Sequence, residues 1–324
     1  MRYWQLGKFR NQNVFYIFLI LIAYLQYGCS KQPGADNIPA ENSKGYYTDG
    51  SKLMKDGKSM EFRGTNKMSL WDWNYDQVSS WGMDITRECI DMKMTSDDDL
   101  ERLVTLARNK GFVIILTAFW YDSDAFPGGS SPYPDCQLLG STPSMDQRYP
   151  QIINKWKHIA RLFSNQSDVW FGIWNEPYGW DKANTASSDQ WLLDASSLID
   201  TIRETGANNI LVVCGNAMGQ GHEPFLEKGA QLLNGRKNIV FDIHAYNTYW
   251  NIPVAAIENR INELKNINVA PIIIGEFANN GEEVYPAVLD ACRSTHTSVL
   301  AWLWGQYQEP FNSTFKVYCG EKRN

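Results

Sequence analysis

Two glutamates end apolar runs of strand length, and their placement could do chemistry. The stretch Asp168 to Tyr178 reads DVWFGIWNEPY. Val169, Trp170, Phe171, Ile173 and Trp174 suit a strand buried on both faces. Pro177 lacks an N–H and disfavours the helical region at Glu176, so the strand ends there with a carboxylate at its carboxyl end. The second run, Pro271 to Phe277, reads PIIIGEF and carries Glu276 in the same position; Gly275 reads as a point where the backbone bends and a ligand approaches. One such carboxylate alone is ordinarily a solvated strand end or the partner of an arginine. Two at matching positions over one cleft can divide acid–base labour, one protonated and one ionised, as glycoside hydrolysis requires.

The rest of the chain supplies elements to hold them. Strands are predicted at Met60 to Asn66, Met83 to Cys89, Phe112 to Phe119, Asp168 to Trp174, Asn209 to Cys214, Ile239 to His244, Ile272 to Phe277 and Val299 to Trp304. Helical patterns fall between them: Tyr75 to Trp81, Ser96 to Gly111, Gln147 to Ser164, Ser187 to Glu204, Pro224 to Leu233, Pro253 to Lys265 and Glu282 to Arg293. Ser96 reads as an N-cap, Asp97 to Asp99 as first-turn charges rather than a metal site, and Gly111 as a stop. Strands alternating with helices imply a parallel sheet with right-handed crossovers. Eight of them predict an α/β fold, a single-domain (β/α)8 TIM barrel, with Glu176 and Glu276 after its fourth and seventh strands on the catalytic rim. The loop Trp120 to Met145 is long enough to be functional. Asn312 to Asn324 reads as a tail.

Length and composition fit that frame. The chain has 324 residues, 44% hydrophobic, with a net charge of −6, which argues against a nucleic-acid surface. Residues 1–29 read as an export signal: Arg2, Lys8 and Arg10 precede the apolar run Val14 to Leu25, then Gly28-Cys29. Cys29 suits lipid attachment, although Gln26 stands where a lipobox leucine is usual. An ordinary cleaved signal and an uncleaved anchor are the alternatives, and each places the domain outside the cytoplasm, as a cell-surface lipoprotein or secreted protein. Residues 30–45 read as a polar linker and 46–324 as the catalytic domain. Five further cysteines, Cys89, Cys136, Cys214, Cys292 and Cys319, fix no pairing; loop positions make Cys136 and Cys319 the candidates for a disulfide. There is no C-x-x-C and the histidines are scattered, so no metal site or cofactor is expected.

The ordered set NEP, then GEF, with Arg87 in the second strand, His244 and Tyr246 after FDIHAY, and Trp304 in LAWLWG, resembles glycoside hydrolase family 5, retaining (β/α)8 glycosidases. The resemblance covers roughly residues 46–310, and its details look most like bacterial endo-β-mannanases. It implies that Glu176 is the acid/base and Glu276 the nucleophile, and that no cofactor is needed. It further implies that Arg87 holds Glu276 ionised, Asn175 meets a sugar 2-hydroxyl, Tyr246 donates to the nucleophile, His244 orients the site and Trp304 floors it. Trp302 competes with Trp304 because alternate strand positions face opposite sides.

One feature departs from the family. A histidine usual near the end of the third strand is replaced by Phe119 or Trp120. Trp120, Trp180 and Trp250, with Trp71 and Trp73, are candidate sugar platforms around a cleft. The resulting expectation is a monomeric hydrolase of β-1,4-linked polysaccharide, mannan or glucan (cellulose). The alternative is a non-catalytic carbohydrate-binding protein on the same barrel, which would bind sugar without releasing reducing ends.

Overall fold

The computed structural model describes residues 44–68, 74–122, 138, 140–180, 185–277, 284–307 and 309–321. The expected export signal and most of the linker, Cys29, Cys136, Trp71, Trp73 and the middle of the long loop after Trp120 lie outside them.

Eight parallel strands close into a barrel in sequence order: β4 (Arg63–Met68), β5 (Ile85–Asp91), β6 (Val113–Trp120), β7 (Val169–Gly172), β8 (Leu211–Cys214), β9 (Ile239–His244), β10 (Ile272–Glu276) and β11 (Ser298–Ala301). The ring closes where Val299, Leu300 and Ala301 pair with Arg63, Gly64 and Thr65. The helices are α1 (Tyr75–Ser80), α2 (Asp97–Asn109), α3 (Tyr149–Leu162), α4 (Ser188–Arg203), α5 (Glu223–Leu232), the single turn α6 (Asn247–Trp250), α7 (Val254–Asn266), α8 (Tyr285–Thr295) and α9 (Phe311–Gly320). Ser96 caps α2 by accepting from the Asp99 amide, as its place before three aspartates predicts.

Side-chain alternation divides each strand between two cores. Outward residues such as Phe171, Val213, Phe241 and Ile274 pack under the helices. Inward residues, among them Val113, Ile115, Trp170, Val212, Val240, Ile273 and Leu300, fill the lower barrel. The bottom is shut by an antiparallel sheet that sequence patterning missed: β1 (Tyr46–Asp49), β2 (Lys52–Lys55) and β3 (Lys58–Met60). Tyr46, Leu53 and Phe62 join the inner core there, with Phe62 edge-on to Trp170 at 5.5 Å. Burying such side chains is worth about 1.5–3 kcal/mol each.

The expected C-terminal tail is instead helix α9. Phe311, Phe315 and Tyr318 form a buried stripe at helical spacing, and Phe277 meets Phe311 and Phe315 at 5.8 and 5.5 Å. Cys319 is buried on this helix rather than in a loop. It is in no disulfide, and neither is Cys89, Cys214 or Cys292.

Candidate active site

The apolar filling stops halfway up the barrel, and a buried polar network begins. Arg87, pointing inward from β5, is its hub. Nη1 donates to Glu276 Oε1 at 2.7 Å and to Asn66 Oδ1 at 2.9 Å, and Nη2 donates to Asn175 Oδ1 at 2.6 Å. Nε lies 3.8 Å from Asp242 Oδ2. Asn66 is itself fixed, its amide donating to the Gly275 and Ala301 carbonyls at 2.8 and 3.1 Å. Burial works against the charge on Arg87, but Glu276 and Asp242 outweigh it and hold the guanidinium protonated.

Glu276 ends β10 with its side chain almost wholly buried. Besides Arg87 it accepts from the Tyr246 hydroxyl at 3.0 Å, and His244 Nδ1 stands 3.4 Å away. Burial pushes this carboxyl up to about 7; His244 and Arg87 pull it down, while the charge of Glu176 adds to the rise. Tyr246 is driven up by burial and by the neighbouring glutamates, so its hydroxyl stays a donor.

Glu176 is held differently. It lies past the end of β7, with φ of 39°, and Tyr178 has φ of 71°. Both are left-handed conformations that ordinary residues adopt only where surroundings enforce them. Here two loops enforce them: the Gly140 amide donates to the Glu176 carbonyl, Tyr178 N–H to Ser141, and Met218 N–H to Pro177. The Glu176 side chain keeps 14% exposure, against 4% for Glu276. One oxygen lies 2.6 Å from His244 Nδ1. One donor atom each from Glu176, His244 and Glu276 lie within 4.8 Å of one another. Arg87 brings the fixed positive charge to this cluster.

Several expected residues take other positions. Trp302, not Trp304, faces the barrel mouth: its ring stacks on Phe119 at 5.7 Å and 16° within a cluster of Met68, Cys89, Trp120 and Leu303. Trp304 points away, packed edge-on against Trp81 at 5.1 Å and Tyr307 at 5.9 Å. Phe119 fills the end of the third barrel strand, and Trp120 is fully buried edge-on behind it at 4.8 Å, so Trp120 offers no sugar platform. Trp250 is also fully buried, its indole N–H donating to the Gln220 carbonyl under the Arg260 guanidinium, and it leaves the set of cleft residues too. Trp180 is 57% exposed, as a platform must be. Gly275 lies at the expected bend, where pairing with β9 shifts register between Ile274 and Glu276, but the space it leaves is taken by the chain rather than by a ligand. A Cβ there would meet Asp242 Oδ1 at 1.9 Å, so its bareness makes room for a carboxylate of the chain.

Sequence reading missed Asn66, Asp242 and Cys214 as parts of the site and left Trp302 and Trp304 undecided between them. Asp242 was legible in principle: a charge inside an apolar strand, two positions before His244, shares its face.

The chain belongs to the cellulase family, glycosyl hydrolase family 5, whose family model matches residues 55–308. Among solved structures it is similar to the β-mannanase of Thermomonospora fusca, with a TM-score of 0.65 at 20% identity over 82% of this chain and 86% of that one. It is similar in the same degree to the β-glucanase SdGluc5_26A of Saccharophagus degradans in complex with cellotetraose, with a TM-score of 0.65, 17% identity, and 85% and 92% coverage. Among curated proteins it matches the manganese-dependent endoglucanase Eg5A of Phanerodontia chrysosporium, 28% identical over 102 residues, 30% of this chain. That match spans 25% of the relative's length.

Proposed function

We propose that the chain hydrolyses β-1,4-linked polysaccharide of mannan or glucan type with retention of configuration. The carrying observation is that one carboxylate oxygen of Glu176 and one of Glu276 lie within 4.8 Å of each other. Retaining glycosidases hold their carboxyl groups about 5–5.5 Å apart, whereas inverting ones need roughly 6.5–9.5 Å to admit a water.

Environment divides the roles. Glu276, gripped by Arg87 and Tyr246, is oriented as the nucleophile: it attacks the anomeric carbon as the glycosidic bond breaks. Glu176, more exposed and bonded to His244, donates its proton to the leaving oxygen. Once Glu276 is esterified its charge is gone, and Glu176, now ionised, takes a proton from the water that releases the sugar. Asn175 spends its carbonyl oxygen on Arg87, which leaves its amide N–H groups for a sugar hydroxyl. Trp302 and Phe119 provide an apolar wall and Trp180 an exposed platform. Mannan and glucan both stay in view because structural neighbours include a mannanase bound to mannohexaose and a glucanase bound to cellotetraose.

The test is an activity screen over glucomannan, galactomannan, cellulose and mixed-linkage glucan, with the product anomer read by NMR. Retained β-configuration supports the reading. Sugar binding without released reducing ends, or an inverted product, overturns it. The same proposal has the enzyme exported and attached through Cys29. Its support is the basic start, the apolar run and Gly28-Cys29. A mature N-terminus without a lipidated Cys29 by mass spectrometry would remove the anchor.

A further inference from the structure

His244 is enclosed on both ring nitrogens. Nδ1 faces Glu176 Oε1 at 2.6 Å and Glu276 Oε2 at 3.4 Å. Nε2 faces Cys214 Sγ at 3.3 Å and Asp242 Oδ2 at 3.5 Å. Asp242 in turn faces Cys214 Sγ at 3.5 Å from β8 and Arg87 Nε at 3.8 Å from β5. Cys89 on β5 is a further buried titratable group acting on Arg87 and His244, and two glycines clear space around the line. Gly275 on β10 leaves the space that Asp242 occupies, and Gly219, with φ of 78°, lies where a Cβ would come 2.8 Å from the His244 ring. Its carbonyl accepts the His244 amide at 2.9 Å. The backbone is thus fitted around a carboxylate–imidazole–carboxylate line, Asp242 to His244 to Glu176, built from two successive inward positions of one strand.

A histidine's tautomer is set by what its remote nitrogen meets. An ionised Asp242 accepts and cannot donate, so it retains a proton on Nε2 and leaves Nδ1 as the exchanging atom. We propose that Asp242 is a positioning residue for the acid/base: it fixes the Nε2–H form of His244, so that Nδ1 can take the Glu176 proton and return it. In the exchange the Glu176 O–H bond breaks as Nδ1–H forms, giving imidazolium and carboxylate, and the reverse step restores both. Asparagine at 242 could instead turn an N–H toward Nε2. That would place the ring proton on Nδ1, where it cannot accept from Glu176. Burial stands against charge on His244, yet Cys214, Glu276 and Asp242 raise its basicity well above an ordinary histidine's. Asp242 is lowered by His244 and Arg87 despite its burial.

This inference rests on the glycosidase reading and is separable from it. The experiment compares wild type with Asp242→Asn on polysaccharide and on a dinitrophenyl β-oligoside, whose leaving group needs no acid. The expected loss in kcat/KM is roughly 10²-fold on polysaccharide, within the usual contribution of general acid catalysis, and much smaller on the dinitrophenyl substrate. The alkaline limb of kcat/KM moves to lower pH, because removing the Asp242 charge lets the pair lose its proton sooner. Equal losses on both substrates, or an unmoved limb, would show that Asp242 acts through Arg87 or only supports the fold. Should the variant not fold, ring ¹⁵N shifts of His244 in the wild type decide, assigned by their loss in His244→Asn. A proton retained on Nε2 while Nδ1 titrates supports the assignment; a neutral ring protonated on Nδ1 overturns it. A wild type that cleaves neither substrate removes the proposed function, and the ring measurement still judges Asp242.

Discussion

The two strand ends that carry the glutamates are built on opposite plans. At β10 the chain stays extended through Glu276, with one register shift against β9 between Ile274 and Glu276, and the side chain is immobilised by Arg87 and Tyr246 in a buried setting. Past β7 the side chain is lightly held and partly exposed, while the backbone is forced into a left-handed bend and strapped from two loops. A nucleophile needs its atom aimed and its charge kept. An acid/base must lose and regain a proton within one turnover, so its carboxyl must face changing partners while its backbone stays fixed. On the proposed division of roles, one residue type is fitted to two tasks by moving the constraint from side chain to backbone.

The largest way to break that contrast is to remove each carboxyl. Glu276→Ala should abolish turnover on every substrate, whatever the leaving group. Glu176→Ala should lose roughly 10²–10⁴-fold on polysaccharide and keep much of its rate in forming the glycosyl-enzyme from a dinitrophenyl glycoside. Steady-state and burst kinetics on both substrates check this, and equal losses for the two variants would erase the division of roles.

Next in size is Arg87→Met, which strips the grip from Glu276 and also releases Asn66, Asn175 and Asp242. A loss on the order of 10²-fold in kcat is expected, the usual scale for a preorganised charged donor. Since Arg87 lowers the Glu276 carboxyl, the acid limb of kcat/KM should also move upward. In the wild type that limb already belongs to the coupled pair and should lie well above the ordinary glutamate value of about 4.3.

A third test reads stability. The folded-state Glu276 is raised, so the native chain holds a proton that the unfolded chain has released, and stability should fall as pH rises from the unfolded value through about 7. Glu276→Gln removes that titration. Its melting temperature should therefore decline less between pH 5 and 8 than the wild type's, measured by calorimetry; parallel slopes would sink the linkage. The smallest effects separate the tryptophans. Trp180→Ala should raise KM a few-fold at constant kcat. Trp250→Phe should leave KM alone and cost about 1 kcal/mol of stability, the worth of its lost hydrogen bond to Gln220.

The barrel was legible because eight apolar runs alternate with amphipathic segments, and Glu176, Glu276, Arg87 and Tyr246 were legible because strand ends and motifs marked them. What escaped had physical reasons. The sheet at the bottom is short and polar-faced, with little hydrophobic periodicity. Helix α9 was hidden because its stripe of Phe311, Phe315 and Tyr318 is interrupted by the turn-forming Asn312, Ser313 and Thr314 and blurred by the exposed Val317. Trp302 and Trp304 could not be told apart, since an alternation argument fails once β11 ends at Ala301 and the chain turns. Trp120 and Trp250 show the converse error: rim position in sequence does not say whether a ring faces the cleft or the core.

Asn66 stands at the seam where the first and last barrel strands meet. Its amide reaches across to Ala301 and Gly275, and its carbonyl oxygen carries Arg87. The two amide contacts join residues more than 200 positions apart. A chain that has assembled strands β4 to β10 but not joined its ends would own both glutamates, the guanidinium and Asn66, yet lack the Ala301 carbonyl that anchors the Asn66 amide and so fixes the guanidinium's angle. Ring closure, the step that waits longest on loop-closure entropy, is then also the step that completes the site. Activity recovered during refolding should lag behind helix formation and coincide with the joining of the two chain ends.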